Sequence, residues 1–281
     1  MKRILLVMAI SGLFSATFAQ SKFEVKDLGT FKLHSYITAD PLGDINYIVE
    51  TPKGLVVVEP AAFYDNIKEM NAYIAKLAKP VIKVISDYHV AGYSGFEQSK
   101  YVMVEGMPEF SEGPVYGGML SHFGNVFKDK MDVSKFGKTE VIAKNSKHNW
   151  AGIDFQFAPG TSSDFPASSI IIGKKVYYTH FTPAKAHPSP LQVHSREAVN
   201  AVIAELEKVK TSGCKVVIGG HGMATTDIAT VDFEISYLKK IKELLTKETS
   251  KENFIAAVKA SYSGLAGEEN LTALAEIFYK K

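Results

Sequence analysis

The alternation of hydrophobic and polar positions in the first part of the chain predicts β-strands. Residues 31–38 and 45–51 are rich in β-branched and aromatic side chains, which are typical of strands. The turn sequence Thr51-Pro52-Lys53-Gly54 then leads into an apolar run at residues 55–59. Together these segments predict two strands joined as a hairpin, preceded by a further strand.

The pattern then changes to helical spacing and back again. Residues 65–78 carry apolar side chains at intervals of three and four, and Pro80 ends the predicted helix. A short β-branched run at 81–85 predicts the next strand. This strand–helix–strand order places residues 87–95 at the carboxyl end of a strand, where open α/β sheets commonly bind ligands.

The remaining pattern predicts strands followed by helices. Residues 106–150 are irregular, with apolar positions on one face of a short helix, so this segment is interpreted either as a lid over a substrate or as ordinary core packing. Strands are then predicted at 139–143, 154–157, 169–172, 176–178 and 215–218, and helices at 195–210, 227–247, 251–261 and 268–279. This order predicts an α/β or α+β fold, with residues 20–281 in one domain that ends in a helical tail at about 226–281.

The first residues are typical of an export signal. Met1-Lys2-Arg3 precedes an apolar run at residues 4–18 that ends in small residues, which predicts cleavage after Ala19. The alternative is an uncleaved anchor, although the run is shorter than the ~20 residues that a membrane span needs. No later segment is apolar enough to cross a membrane, so we expect a periplasmic or secreted protein without an integral membrane segment after cleavage.

Charge and cysteine content narrow the function classes. The chain has 32 Lys and Arg against 30 Asp and Glu, and two of the basic residues lie in the predicted signal. A net charge near zero gives no basis for a nucleic-acid or acidic-membrane partner. The expected partner is a small-molecule substrate or ligand. Cys214 is the only cysteine, which excludes an intrachain disulfide and a cysteine-rich zinc site.

Several polar residues follow predicted strands and are candidate metal ligands. Asp87 and His89 are two residues apart at a strand end, so their side chains project to the same side and a carboxylate and an imidazole could share one divalent ion. A hydrogen-bonded polar pair is the alternative. His221 lies in Gly219-Gly220-His221-Gly222 after another apolar strand, either as a ligand or as a turn histidine.

Two further candidates carry the same ambiguity. His180 follows the strand at 176–178. Asp164 lies in a polar loop after residues 154–157, where an oxygen ligand and a turn cap are both consistent with the sequence. His187 and His194 flank a Pro-containing loop and are interpreted as surface histidines.

The segment Ser86-Asp87-Tyr88-His89-Val90-Ala91-Gly92-Tyr93-Ser94-Gly95 resembles the metal-binding segment of the metallo-β-lactamase superfamily, T-H-x-H-x-D-H-x-G-G. His89 keeps the second histidine, and Asp87 stands in place of the first. Ala91 and Gly92 replace the residues that would hold a second metal. Gly220-His221-Gly222 is similar to a late P-G-H-G segment of the superfamily.

Three more motifs of the superfamily are altered here. Glu59-Pro60-Ala61 stands where an early D-T-G is typical, and His180 stands beside the position of an Asp that bridges two metals. Asp164 or Ser163 falls closest to the position of another histidine ligand. The resemblance covers about residues 30–280, with the motifs in the same order.

The resemblance implies a four-layer αββα sandwich. It also implies a hydrolase of esters, lactones or related bonds with a single rearranged metal site, at which Asp87, His89 and one or two of His221, His180 and Asp164 would bind a zinc ion. The alternative is a catalytically inactive relative that binds a ligand without a metal. A third interpretation is an α/β domain unrelated to this superfamily.

Overall fold

The structure is a computed structural model that describes residues 20–137, 139–160 and 165–280. The predicted signal peptide at 1–19 and the candidate ligand Asp164 therefore lie outside the described residues. Within those ranges, no helix has the length and apolar character that a membrane span requires.

The first half of the chain forms a seven-stranded sheet in sequence order. Neighbouring strands are antiparallel from the first to the fourth strand and parallel from the fourth to the seventh. The strands are β1 (Lys22–Asp27), β2 (Lys32–Ile37), β3 (Ile45–Thr51), β4 (Gly54–Val58), β5 (Val81–Ile85), β6 (Tyr101–Val104) and β7 (Glu140–Ile142).

The second half of the chain forms a five-stranded sheet with the order β12-β11-β10-β9-β8. Only β11 and β12 are parallel, so their carboxyl ends lie side by side. The strands are β8 (Lys147–Trp150), β9 (Ile153–Pro159), β10 (Ser168–Ile172), β11 (Val176–Phe181) and β12 (Val216–His221).

Helices cover the outer faces of both sheets. The helix α1 (Tyr64–Leu77) buries Met70 and Ile74 against the outer face of the first sheet. On the second sheet, Tyr177 and Val217 pack against a helical layer formed by α4 (Arg196–Ser212), α5 (Ile228–Lys247), α6 (Lys251–Ser261) and α7 (Asn270–Phe278).

The main hydrophobic core lies between the two sheets. Strand residues of the first sheet, such as Val49 and Val58, meet residues of the second sheet, such as Phe155 and Ile170, and these side chains are almost fully buried. Alternate residues of each strand point to opposite faces, so one sheet contributes both to this core and to a helix-covered face. The arrangement confirms the predicted four-layer αββα sandwich.

The irregular segment after β6 contains two helices, α2 (Met107–Glu112) and α3 (Tyr116–Phe127). Met107 and Tyr116 belong to the core between the sheets, and Phe123 packs in a smaller apolar cluster. Of the two interpretations offered for this segment, ordinary core packing accounts for these side chains.

Candidate metal centre

Three histidines converge at one edge of the two sheets. His89 lies in the loop after β5, His180 lies near the end of β11, and His221 ends β12. One ring nitrogen from each of the three lies within 4.8 Å of the other two. Nε2 of His89 is 3.0 Å from Nε2 of His221, so their ligand atoms face the same point.

The environment of the cluster favours neutral imidazoles. Burial, followed by the nearby His89, lowers the pKa of His221 to about 3. Burial also lowers the pKa of His180 well below its ordinary value, with His221 and His89 adding to the effect. Near neutral pH both rings therefore keep a lone pair, which is the form of histidine that binds metals.

The buried carboxylate of Glu59 holds the loop that carries His89 through hydrogen bonds to its backbone. Glu59 follows β4, has a positive φ of 58° and is fully buried. Its Oε1 accepts the backbone N–H of Tyr88 at 2.7 Å, and its Oε2 accepts those of Asp87 and His89, each at 3.2 Å. The hydroxyl of Tyr178 in β11 also donates to Glu59, so this one side chain joins the His89 loop to the second sheet.

Two residues at the start of β3 and just before it fix the position of His221. Oδ1 of the buried Asp44 lies 3.5 Å from Nδ1 of His221, and Asp44 also forms an isolated bridge with His221 through the backbone. The hydroxyl of Tyr47 donates to the carbonyl oxygens of Gly219 and Ala224, both at 2.9 Å. A carboxyl behind a histidine ring is the arrangement that orients many metal-binding histidines.

Aromatic side chains hold the other two rings. Tyr88 stacks on His180 with their ring centroids 4.4 Å apart and an angle of 4° between the planes. The hydroxyl of Tyr116 in α3 accepts the N–H of Val90 at 2.6 Å and donates to the carbonyl of Tyr88 at 3.1 Å. Helix α3 therefore supports the loop that carries His89.

Gly220 leaves room for the ring of His89 because it has no side chain. A Cβ atom added to Gly220 would lie 2.6 Å from Cε1 of His89, closer than such atoms approach one another. Nδ1 of His89 is buried, and within the described ranges it has no hydrogen-bond partner. A set of three imidazole ligands fits a single zinc ion, whose catalytic sites commonly have three protein ligands and one open position.

The structure brings together only some of the predicted site residues. His89, His180 and His221 form the cluster, whereas Asp87 does not belong to it. The carboxylate of Asp87 is fully buried and accepts the N–H of Ser168, the first residue of β10, at 3.0 Å. A metal-binding role for Asp87, and for Asp164 outside the described residues, stays a prediction.

The interpretation of His187 as a surface residue is wrong. Its side chain is buried, and its Nδ1 lies 2.7 Å from the hydroxyl of Tyr237 in α5. His194 is half-buried, beside the start of α4. Sequence reasoning also gave no role to Asp44 or Tyr88, because no motif marks them.

Ala91 and Gly92, which stand where the resemblance would place ligands of a second metal, are closely packed. Ala91 is buried in an apolar cluster with Phe63, Phe123 and Met131. Gly92 has a positive φ of 75°, and a Cβ atom there would lie 1.9 Å from the carbonyl oxygen of Ala61. No side chain larger than glycine fits at position 92 without movement of the backbone.

The fold and the histidine cluster define a protein of the metallo-β-lactamase fold. Solved structures support this class. The chain is similar to a stereoselective inverting sec-alkylsulfatase from Pseudomonas sp., with 16% identity and a TM-score of 0.62 over 92% of this chain and 50% of that chain. It therefore spans about half the length of that sulfatase.

Two shorter structures match over nearly their whole length. A metallo-β-lactamase from Pontibacter korlensis has 15% identity and a TM-score of 0.52, over 78% of this chain and 99% of that chain. The metallo-β-lactamase FIM-1 from Pseudomonas aeruginosa, in its mono-zinc form, has 12% identity and a TM-score of 0.50, over 80% and 97%. At such identities the likeness shows the fold. No protein-family model and no curated protein sequence matches the chain.

Proposed function

We propose that this protein is a hydrolase with one metal ion, held by His89, His180 and His221. The observation that carries the proposal is the convergence of three ring nitrogens within 4.8 Å at one edge of a metallo-β-lactamase fold. Zinc is the expected ion because imidazole ligands suit it and because three histidines with one open position are a known ligand set of catalytic zinc. When bound, such an ion would supply an activated water and polarise the substrate.

The protein's own residues would keep the ligands in position. Asp44 lies behind His221, Tyr88 stacks on His180, and Glu59 fixes the loop of His89. Each ring is therefore held by a different contact, and metal binding requires little reorganisation of the site. Such preorganisation is what a hydrolytic centre needs.

The substrate class is proposed from the reaction types associated with the fold. The matched structures include an alkylsulfatase and metallo-β-lactamases, so esters, lactones and sulfate esters are the compounds to test first. The export signal predicted at residues 1–19 leads us to propose that the protein acts in the periplasm or outside the cell.

A second candidate is a binding protein without hydrolytic activity. The packing of Ala91 and the close approach of Gly92 to Ala61 favour it, since they remove the space and the ligands of a second metal. In that case the cleft would bind a small molecule without a metal.

Metal content separates the two candidates. The purified protein, prepared without a histidine tag or chelators, is expected to contain about one zinc ion per chain, as a site with three histidine ligands would. Alanine at His89, His180 or His221 should remove both the zinc and any hydrolysis of ester, lactone and sulfate-ester substrates. His122→Ala, on α3 and outside the cluster, is the matched control and should keep both.

Two results would contradict the hydrolase proposal. One is a wild-type protein that binds no metal after incubation with zinc, which would favour the binding protein. The other is hydrolysis that persists in all three histidine variants, which would place the chemistry elsewhere.

A further inference from the structure

A small cavity shares a wall with the histidine cluster. Its volume is about 80 Å³, and His180 and Tyr88 form the side that faces the cluster. The rest of the lining is mainly apolar, from Phe165, Phe181, Leu191, Ala201, Val202 and Leu206, and its polar members are Thr179, Gln192, His194 and Glu205. A ligand in this cavity would therefore lie next to one of the proposed metal ligands.

The walls of the cavity are held in place by interactions elsewhere. The segment after β11 is fixed to β12 because the N–H of Thr182 donates to the carbonyl of His221 at 3.0 Å. Further along, the buried Glu234 of α5 accepts the N–H of Ala184 at 3.0 Å and the side-chain amide of Gln192 at 2.6 Å. The cavity is thus formed before any ligand arrives, as ligand pockets usually are.

The charged group on the cavity wall is already engaged. Glu205 accepts hydrogen bonds from the hydroxyls of Tyr177, at 2.7 Å, and Ser169. Both partners are buried, so the carboxylate is already hydrogen-bonded within the protein. What the cavity offers to a ligand is mainly apolar contact.

We propose that this cavity binds a short aliphatic chain on the acid side of the substrate's scissile bond. The inference rests on the proposed hydrolase. The reacting carbon has to lie beside the histidine cluster, so the chain attached to it directly is the part that reaches a cavity walled by His180. The leaving group has to depart, and so belongs on the solvent side.

The volume sets the length of the chain. An engineered cavity of about 150 Å³ holds a benzene molecule of six carbons, so 80 Å³ corresponds to about three carbons. A butyryl group, whose propyl chain has three carbons, should fit. An octanoyl group should not. Each methylene moved out of water contributes about 0.8 kcal/mol, which is about a fourfold gain in affinity. The butyrate ester has two more methylenes than the acetate ester, so its KM should be about 15-fold lower.

The experiment compares p-nitrophenyl acetate, butyrate, hexanoate and octanoate on the metal-loaded protein. Ala201→Phe should fill the cavity and raise KM for butyrate about tenfold or more, with KM for acetate changed less than about twofold. Ala204→Phe is the matched control, because this exposed residue lies on the same helix and outside the cavity. Leu191→Ala, at the half-exposed rim, should move the preference towards hexanoate and carries little risk of unfolding.

Binding of sodium butyrate, followed by saturation-transfer NMR, gives a measurement that does not depend on hydrolysis. Butyrate signals that Ala201→Phe removes and Ala204→Phe keeps would support the cavity even if no ester is hydrolysed, so a failure of the proposed function is recognised separately. The inference is overturned if Ala201→Phe and Leu191→Ala keep the wild-type chain-length preference in an active protein. It is also overturned if the wild type neither binds butyrate nor prefers it to acetate.

Discussion

Glu59 is the residue at which one substitution should most clearly test how the His89 loop is held. In Glu59→Gln the side chain keeps its size but loses one acceptor oxygen. Oε1 accepts the N–H of Tyr88 and the hydroxyl of Tyr178, so the amide oxygen of glutamine can take over these two bonds. The amide NH₂ then replaces Oε2 and faces two other donors, the N–H groups of Asp87 and His89.

The expected loss follows from those two donors. A buried donor left without a partner costs about 1–3 kcal/mol, so two give about 2–6 kcal/mol. Part of this is offset, because the negative charge of Glu59 disfavours the ionised form of Asp87 and raises its pKa, after burial as the larger cause. We therefore expect the free energy of unfolding to fall by about 2–4 kcal/mol, which lowers Tm by about 5–15 °C for a chain of this size.

Thermal unfolding followed by circular dichroism measures this change, and metal content reports whether His89 has moved. Glu207→Gln is the control, because this exposed glutamate forms only a surface ion pair with Lys239, worth about 0–1 kcal/mol. A Glu59→Gln protein that melts within 2 °C of wild type, about the effect of 1 kcal/mol or less, would refute the account of the loop given above.

Two further predictions concern the packing around the site. Gly220→Ala should displace His89 and reduce zinc affinity about tenfold or more, as comparable changes around metal sites do. Gly118→Ala, on the open face of α3, is the control and should keep the wild-type affinity, which a metal titration measures for both variants. Burial raises the pKa of Glu234 from 4.5 to about 7, so the folded protein binds a proton more tightly than the unfolded chain. The stability that this proton contributes is full below about pH 4.5 and is lost as the pH rises through 7. In denaturant titrations, the free energy of unfolding of wild type relative to Glu234→Gln should therefore fall by about 2–3 kcal/mol between pH 5 and 8. A difference that stays constant over this pH range would contradict the prediction.

Most strands and helices with a clear hydrophobic face could be predicted from the sequence, although the fully buried strand β6 was not. The helix at 195–210 appears as α4, where the hydroxyl of Ser195 accepts the N–H of Ala198 as an N-cap. The strand β1 was not predicted, because five of its six residues are exposed and it pairs only at the edge of the sheet. The strand β8 is short and likewise lies at an edge, so neither has the alternation that marks a half-buried strand.

The histidines of the site could be found because each follows an apolar strand. Their supports could not, because they come from distant parts of the chain. Glu59 precedes the loop that it holds by about 30 residues, and Asp44 comes just before β3 whereas His221 ends β12. The burial of His187 could not be predicted for the same reason, since its partner Tyr237 lies 50 residues further along the chain.

Burying the histidine cluster costs free energy of folding, and this cost favours a functional role for the cluster. Two of its rings have lowered pKa values, and His89 carries a buried Nδ1 that has no partner within the part of the chain that the structure describes. Burying such a group without a hydrogen bond costs about 1–3 kcal/mol, whereas an apolar residue of similar size would avoid that loss. At Ala91, by contrast, the space is filled by apolar side chains. The histidine cluster keeps that cost, and this contrast supports the proposal that it binds one metal ion.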